Sequence, residues 1–409
     1  MKQGWEIKKL GDVCELYQPK TISSKEMVDD GEYPVFGANG IIGKYDKYNH
    51  EEPQLLITCR GATCGSVNIS EPKSWINGNA MVVRPIDNSL NLKFIEYLFR
   101  GGIDISKTIT GAAQPQITRQ TLSPVLISYP KSLPEQQRIV SILDEAFAVI
   151  AKAKANAEQN LKNAKELFES YLQGVFENGN WETRTIQEIT KVINGYAFAS
   201  KDFKSTNTIK SIKITNVGVK EFVEEVDNYL PEKFKDTLKE VQVREGNIVI
   251  ALTRTIISAG LKVAVVPASY DGALVNQRVA ALVPNEKIIN QRYLYNFLTT
   301  DGVAKYVLAH VNTLMQPNLS INDLKNLPVP CPTIKEQSDI VKKLDGLRSE
   351  VRKLEAIYQQ KINDLEELKK SVLQKAFSGE LRSPEGAKYT SDAATPIAKK
   401  KTITSPARA

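Results

Sequence analysis

The chain has 409 residues, 42% of them apolar, and a formal charge of +7 from 54 basic and 47 acidic residues. That length accommodates two or three domains, and the composition is that of a globular protein. No run of about 18 apolar residues exists to cross a membrane, no signal-peptide pattern opens the chain, and Cys14, Cys59, Cys64 and Cys331 form no CxxC pair. A cytoplasmic protein without a clustered metal site is expected.

The chain's first half opens at Trp5-Glu6-Ile7, with Leu10 and Val13 five and eight residues after the Trp. Residues 14–113 contain short apolar runs, such as Gln54–Thr58, broken by Gly, Asn and Pro. That pattern predicts strands joined by turns, with a helix near 92–100. "GANGIIG" (37–43) lacks the GxGxxG spacing and reads as turns. Gln114-Pro115-Gln116-Ile117 follows, then Leu122 and a Pro-punctuated run ending at Pro130. A helix free of proline begins near Glu135.

The plan then recurs. Trp181-Glu182 has Ile186 and Ile189 behind it, Tyr293–Leu298 parallels Phe94–Phe99, and Gln316-Pro317-Asn318-Leu319 parallels the first Gln-Pro motif. "EQQRIVSILD" (135–144) returns as "EQSDIVKKLD" (336–345), and 135–177 matches 336–378 without a gap at 15 of 43 positions. One module is fused to a copy of itself. Leu143, Ile150, Ala157, Ala164 and Tyr171 recur every seven residues, as do Leu344, Val351, Tyr358, Leu365 and Val372. A seven-residue apolar repeat predicts coiled-coil packing. Small residues opposite large ones favour an antiparallel pair, with Ala157 facing Tyr358, Ala164 facing Val351 and Tyr171 facing Leu344. Two separate homodimeric coils are the competing arrangement.

The expected class is α+β. Two β-rich α/β domains (1–134 and 179–334) stand in a pseudo-two-fold arrangement, joined by two long antiparallel coiled-coil helices (135–178 and 335–380). A disordered basic tail follows (381–409), whose segment from Ser383 carries Lys388, Lys399, Lys400, Lys401 and Arg408 against Glu385 and Asp392. A charge this modest makes a weak case for nucleic acid on its own, so local basic faces or partner subunits must contribute.

The runs "QPQITRQTLSPVLISYPKSLPEQQRIV" (114–140) and "QPNLSINDLKNLPVPCPTIKEQSDIV" (316–341) resemble the junction motif of type I restriction–modification specificity subunits. The Trp-Glu openings and the helix ends at 172–176 and 373–377 share that resemblance, which covers residues 1–382. It implies a non-catalytic subunit whose two domains each read one half of a bipartite, asymmetric DNA site. The helices would set the spacer and bind two methyltransferase subunits, which carry S-adenosylmethionine and methylate adenine. Two restriction subunits would add ATP- and Mg-dependent chemistry, if present. In agreement, the chain carries no adenine-methylase motif and no Walker A motif.

Base readout needs Arg, Lys, Asn or Gln held at a groove. Arg60 and Arg254 each follow an apolar strand, in "LITCRGATCGS" (56–66) and "IALTRTIISAG" (250–260). Further candidates are Asn39, Lys44 and Tyr45 in a Gly-rich loop, Lys210, Lys213 and Asn216 in the second half, and the paired Gln114 and Gln316. A lone DNA-binding regulator, an enzyme and a structural scaffold are the alternatives.

Overall fold

A computed structural model describes residues 4–111, 113–224, 229–258, 260–311, 318–378, 380 and 381. The chain divides into two units, residues 1–154 with 363–409, and residues 155–362. The division is not linear along the chain, because each unit takes part of both long helices. The tail beyond residue 381 and Gln316 lie outside the described residues.

In the first unit the Trp-Glu opening, β1 (Trp5–Lys9), pairs antiparallel with the Pro-punctuated run, β9 (Leu126–Pro130). Between them lie β2 (Cys14–Tyr17), β3 (Tyr33–Gly37), β4 (Gly40–Tyr45), β5 (Leu55–Thr58), β6 (Val67–Ile69), β7 (Trp75–Ile76) and β8 (Ala80–Pro85). They form a sheet of order β2-β8-β5-β6 and a smaller one of order β4-β3-β7, in which β3 and β7 run parallel. The continuous apolar run of β5 is explained by burial on both faces. Leu55 and Ile57 enter one core with Met81 and Val83, while Leu56 enters another with Val82, Phe36 and Ile76.

The second unit repeats this topology. β10 (Thr183–Thr185) pairs with β20 (Pro328–Pro330). β11 (Thr190–Asn194), β12 (Ile209–Ile212), β13 (Tyr229–Leu230), β14 (Ile248–Ala251), β17 (Val263–Val265), β18 (Leu274–Val275) and β19 (Val279–Pro284) form sheets of order β11-β19-β14-β17 and β13-β12-β18. The parallel pair is again present, as β12 with β18. Only the hairpin of β15 (Ile256–Ile257) and β16 (Gly260–Leu261) lacks a counterpart among the described residues.

The two long helices run Leu133–Glu177 and Ile334–Ser378. In the first unit Ile139 and Leu143, near one helix start, share a core with Leu373, Ala376 and Phe377 at the other helix end. In the second unit Leu172 and Phe176 share a core with Val341 and Leu344. Start meets end in both, which is the antiparallel sense. Gly102 permits the close approach in the first unit, since a Cβ there would sit 2.5 Å from the Phe377 ring.

The periodicity corrects the seven-residue expectation. Tyr171 is 41% exposed, and the next residue, Leu172, is 1% exposed. Ile139, Ile150, Leu161 and Leu172 recur every eleven residues, and Ile340, Val351, Ile362 and Leu373 repeat them 201 positions later. All eight are buried or half-buried. A heptad drifts by about 20° on a helix of 3.6 residues per turn, so after four heptads the facing residue is the next one along. Tyr171 therefore swings outward and Val372 yields to Leu373. Tyr358, Leu365 and Val372 are half-buried, whereas Leu143, Ile150, Ala157, Ala164, Leu344 and Val351 are buried.

Candidate nucleic-acid interface

The matched topology fixes which positions of the two units correspond. In the first, Thr58 pairs with Ala80, and the Cys59 N–H donates to the Asn79 carbonyl at 3.0 Å. In the second, Ala251 pairs with Val279, and the Leu252 N–H donates to the Arg278 carbonyl at 2.8 Å. One residue further, Arg60 bridges Gln116, and Thr253 bridges Asn318. The next N–H groups, of Ile117 and Leu319, bond to Cys59 and Leu252, each at 2.9 Å.

Arg60 is therefore the counterpart of Thr253, not of Arg254. Arg254 corresponds to Gly61, and both have left-handed backbones, with φ of 49° and 89°. For an arginine that conformation costs on the order of 1–2 kcal/mol. Arg254 is exposed and has no side-chain partner among the described residues. The partial burial of Lys262, and then the nearby charge of Arg254, lower the pKa of that lysine. Lys262 Nζ donates to the Ile214 carbonyl at 2.9 Å.

Around the end of β5 the first unit gathers several exposed polar groups. Thr58 Oγ1 donates to the Ala38 carbonyl, and Asn68 Nδ2 donates to Asn39 Oδ1 at 3.4 Å. These bonds hold the tip of the β3–β4 hairpin against the strand that carries Arg60. Arg60, Asn39, Asn68 and Gln116 are thus brought together, and Gln114 is exposed two residues before Gln116. Lys44 and Tyr45 lie at the opposite end of the hairpin. The Tyr45 ring packs edge-on against Trp75 at 5.2 Å, and the Lys44 carbonyl accepts from the Val28 N–H at 3.0 Å.

In the second unit Asn216 is corrected. It is fully buried, with Oδ1 accepting from the Lys213 N–H at 2.8 Å and Nδ2 donating to the Val223 carbonyl at 2.9 Å. It closes a turn and has no reach toward a ligand. Lys210 and Lys213 are half-buried. Lys210 Nζ donates to the Ser269 carbonyl at 2.7 Å and lies over the Tyr270 ring, while Lys213 Nζ lies 4.0 Å over Phe203.

Two features escaped the sequence reading. Asn77-Gly78-Asn79-Ala80 and Asn276-Gln277-Arg278-Val279 form the same turn, closed by bonds from Ala80 to Asn77 at 3.1 Å and from Val279 to Asn276 at 2.9 Å. The shared Asn was its only signal. Gln136 and Gln337 are fully buried behind each domain. Gln136 Oε1 accepts from the Asn91 N–H at 2.8 Å while Nε2 donates to the Ser89 and Pro130 carbonyls, both at 2.8 Å. Gln337 accepts from the Asn290 N–H at 2.7 Å and donates to the Ile288 and Pro332 carbonyls at 3.0 and 2.8 Å. Asn91 and Asn290 in turn cap the short helices Leu92–Tyr97 and Gln291–Leu298. The repeated Gln thus fastens each long helix to its domain.

The model of the type I restriction modification DNA specificity domain matches residues 2–163 and again 178–367. The chain belongs to that family. Among its relatives are the MjaVIII specificity subunit of Methanocaldococcus jannaschii, 22% identical with 93% of each chain covered, and the EcoBI specificity subunit of Escherichia coli, 24% identical over 80% of this chain and 73% of that one. The fold is shared with a chain of a type I R-M system solved to explain complex assembly and conformational transition. That likeness has a TM-score of 0.72 at 17% identity, covering 93% of this chain and 99% of the other. It is also shared with the HsdS subunit from Thermoanaerobacter tengcongensis, with a TM-score of 0.58 at 18% identity and coverage of 93% and 98%. The chain is thus a specificity subunit with two family domains, a recognition component and not a catalyst. No helix among the described residues is long and apolar enough to cross a membrane, and no group of three or more potential metal ligands occurs among them.

Proposed function

We propose that each domain reads one half of a bipartite, asymmetric DNA sequence, and that the long helices set the spacer and dock two methyltransferase subunits. The observation that carries this reading is one backbone plan built twice with different residues at matched positions, most of them exposed. Arg60 stands where the second unit has Thr253, Gly61 where it has Arg254, Asn79 where it has Arg278 and Gln116 where it has Asn318. A common scaffold with changed donors and acceptors is what two unlike half-sites require.

Docking is supported by uncovered apolar residues on the helices. Leu167 is 56% exposed and its mate 201 positions on, Leu368, is 48% exposed. Equivalent apolar positions suit two copies of one partner. S-adenosylmethionine belongs to those partners in this proposal, and ATP and Mg to restriction subunits where present.

The test is methylome sequencing of cells carrying the methyltransferase subunit with and without this chain, followed by footprinting on sites with either half scrambled. A split motif that disappears with the chain, and binding weakened by scrambling either half, is the expected result. Methylation at the same sites without this chain would overturn the proposal.

A further inference from the structure

The turn Asn276–Val279 holds Arg278 at the start of β19. Its backbone is fixed on every side. The Asn276 N–H donates to the Ile212 carbonyl at 2.9 Å, the Gln277 N–H to the Tyr196 carbonyl at 3.0 Å, and the Arg278 carbonyl receives the Leu252 N–H. On this rigid platform the Arg278 side chain is exposed and makes no hydrogen bond, ion pair or ring contact among the described residues. Three other arginines of the same unit are engaged, Arg244 with Asp271 at 3.2 Å, Arg292 with Asp345 at 2.9 Å and Arg348 with Asn296 at 2.8 Å, whereas Arg184, Arg254 and Arg352, like Arg278, have no side-chain partner among the described residues. Arg278 lies at the same strand end as Arg254 and Lys262, so it adds a third cation where no folding interaction calls for one.

The twin turn shows what varies. Asn77 and Asn276 both close the turn, and their N–H groups make matched bonds to Phe36 and Ile212, each at 2.9 Å. The two residues between the ends differ: half-buried Gly78 and exposed Asn79 in one copy, exposed Gln277 and Arg278 in the other. A residue that only neutralised phosphate would serve both copies equally, since phosphate contacts carry no sequence information. An amide exchanged for a guanidinium is different. Asn pairs bidentately with the N6 and N7 of adenine, and Arg with the O6 and N7 of guanine.

We infer that Arg278, presented by the Asn276–Val279 turn, is a specificity-determining residue of the second domain that takes a guanine through the major-groove edge. The inference rests on the half-site reading above and deepens it.

The experiment uses the chain co-purified with its methyltransferase subunit. The wild-type complex is bound to DNA libraries randomised in one half-site at a time, then compared with Arg278→Ala and Arg278→Lys. The expected result is that one guanine preference in the second half-site falls roughly tenfold to a hundredfold in Arg278→Ala, with the first half-site unchanged. Arg278→Lys keeps the charge but loses the planar fork, so it should retain the salt dependence and lose most of the discrimination. A uniform loss on every sequence, or no loss, overturns the inference while leaving the half-site reading intact. A wild-type complex with no sequence preference in the second half-site overturns both.

Discussion

Gln136 and Asn91 meet through a 2.8 Å bond from the Asn91 N–H to the glutamine Oε1, and 201 residues later Gln337 makes the same bond to Asn290 at 2.7 Å. Each buried amide satisfies three backbone groups that would otherwise lie unpaired. Replacing Gln136 with Leu should destabilise the first unit by about 1–3 kcal/mol for each group left without a partner and without water. Hydrogen exchange should show residues 89–97 losing protection while 288–297 keep theirs. Equal loss in both segments would mean that the clamp is not local.

The eleven-residue spacing of the buried helix positions separates two neighbours. Leu172→Ala removes a fully enclosed side chain and should cost about 2–5 kcal/mol. Tyr171→Ala, on the outer face, should cost under about 1 kcal/mol. Denaturant titration of both variants decides between the two periodicities, because a seven-residue seam requires the reverse order.

Arg254 occupies a backbone conformation that its twin gives to Gly61. Arg254→Gly should leave folding stability unchanged or raise it by up to about 1 kcal/mol, as left-handed strain is relieved. Both Arg254→Gly and Arg254→Ala should weaken binding to the second half-site and spare the first. A stability loss above that size would mean the side chain holds the fold instead of a ligand.

Leu167 and Leu368 give a partner two equivalent apolar contacts. Leu167→Asp and Leu368→Asp should each reduce the methyltransferase content of the complex from two copies toward one, and the double variant should bind none. Native mass spectrometry counts the copies. Undiminished stoichiometry in the double variant would remove these residues from the interface.

Inserting four residues near Ser170 or Gly174 tests the ruler, but that stretch flanks buried Leu172 and Phe176. A cleaner change inserts eleven residues after the exposed Glu158 and a matching eleven after Gln359, which preserves the buried face. The added length is roughly 16 Å at 1.5 Å per residue. The methylome should then report the same half-sites with a longer spacer. An unchanged spacer would remove the helices from that role.

Much of the fold was legible because the duplication exposes itself in strong signals: Trp-Glu openings, Gln-Pro motifs and two helices alike at a constant offset. The helix seam was half legible. Leu143, Ile150, Ala157 and Ala164 fit a heptad, and only the ends, at Tyr171 and Val372, reveal the drift of a 3.6-residue helix. The site was less legible, since exposure and backbone sign are tertiary properties. Asn216 has the composition of a surface reader, yet its amide is consumed by a turn. Arg254 looked like the mate of Arg60 because both follow an apolar strand. The one-residue difference appears only once Arg60 is seen opposite Gln116 and Thr253 opposite Asn318.

The ring of Phe94 rests 5.3 Å from that of Phe377, across 283 positions of chain. During synthesis, the first domain therefore emerges from the ribosome long before the last helical turns that seal its interior. Its apolar floor stays open while the whole second domain is being made. A message cut short before Leu373 would leave the core around Phe94 without Leu373, Ala376 and Phe377.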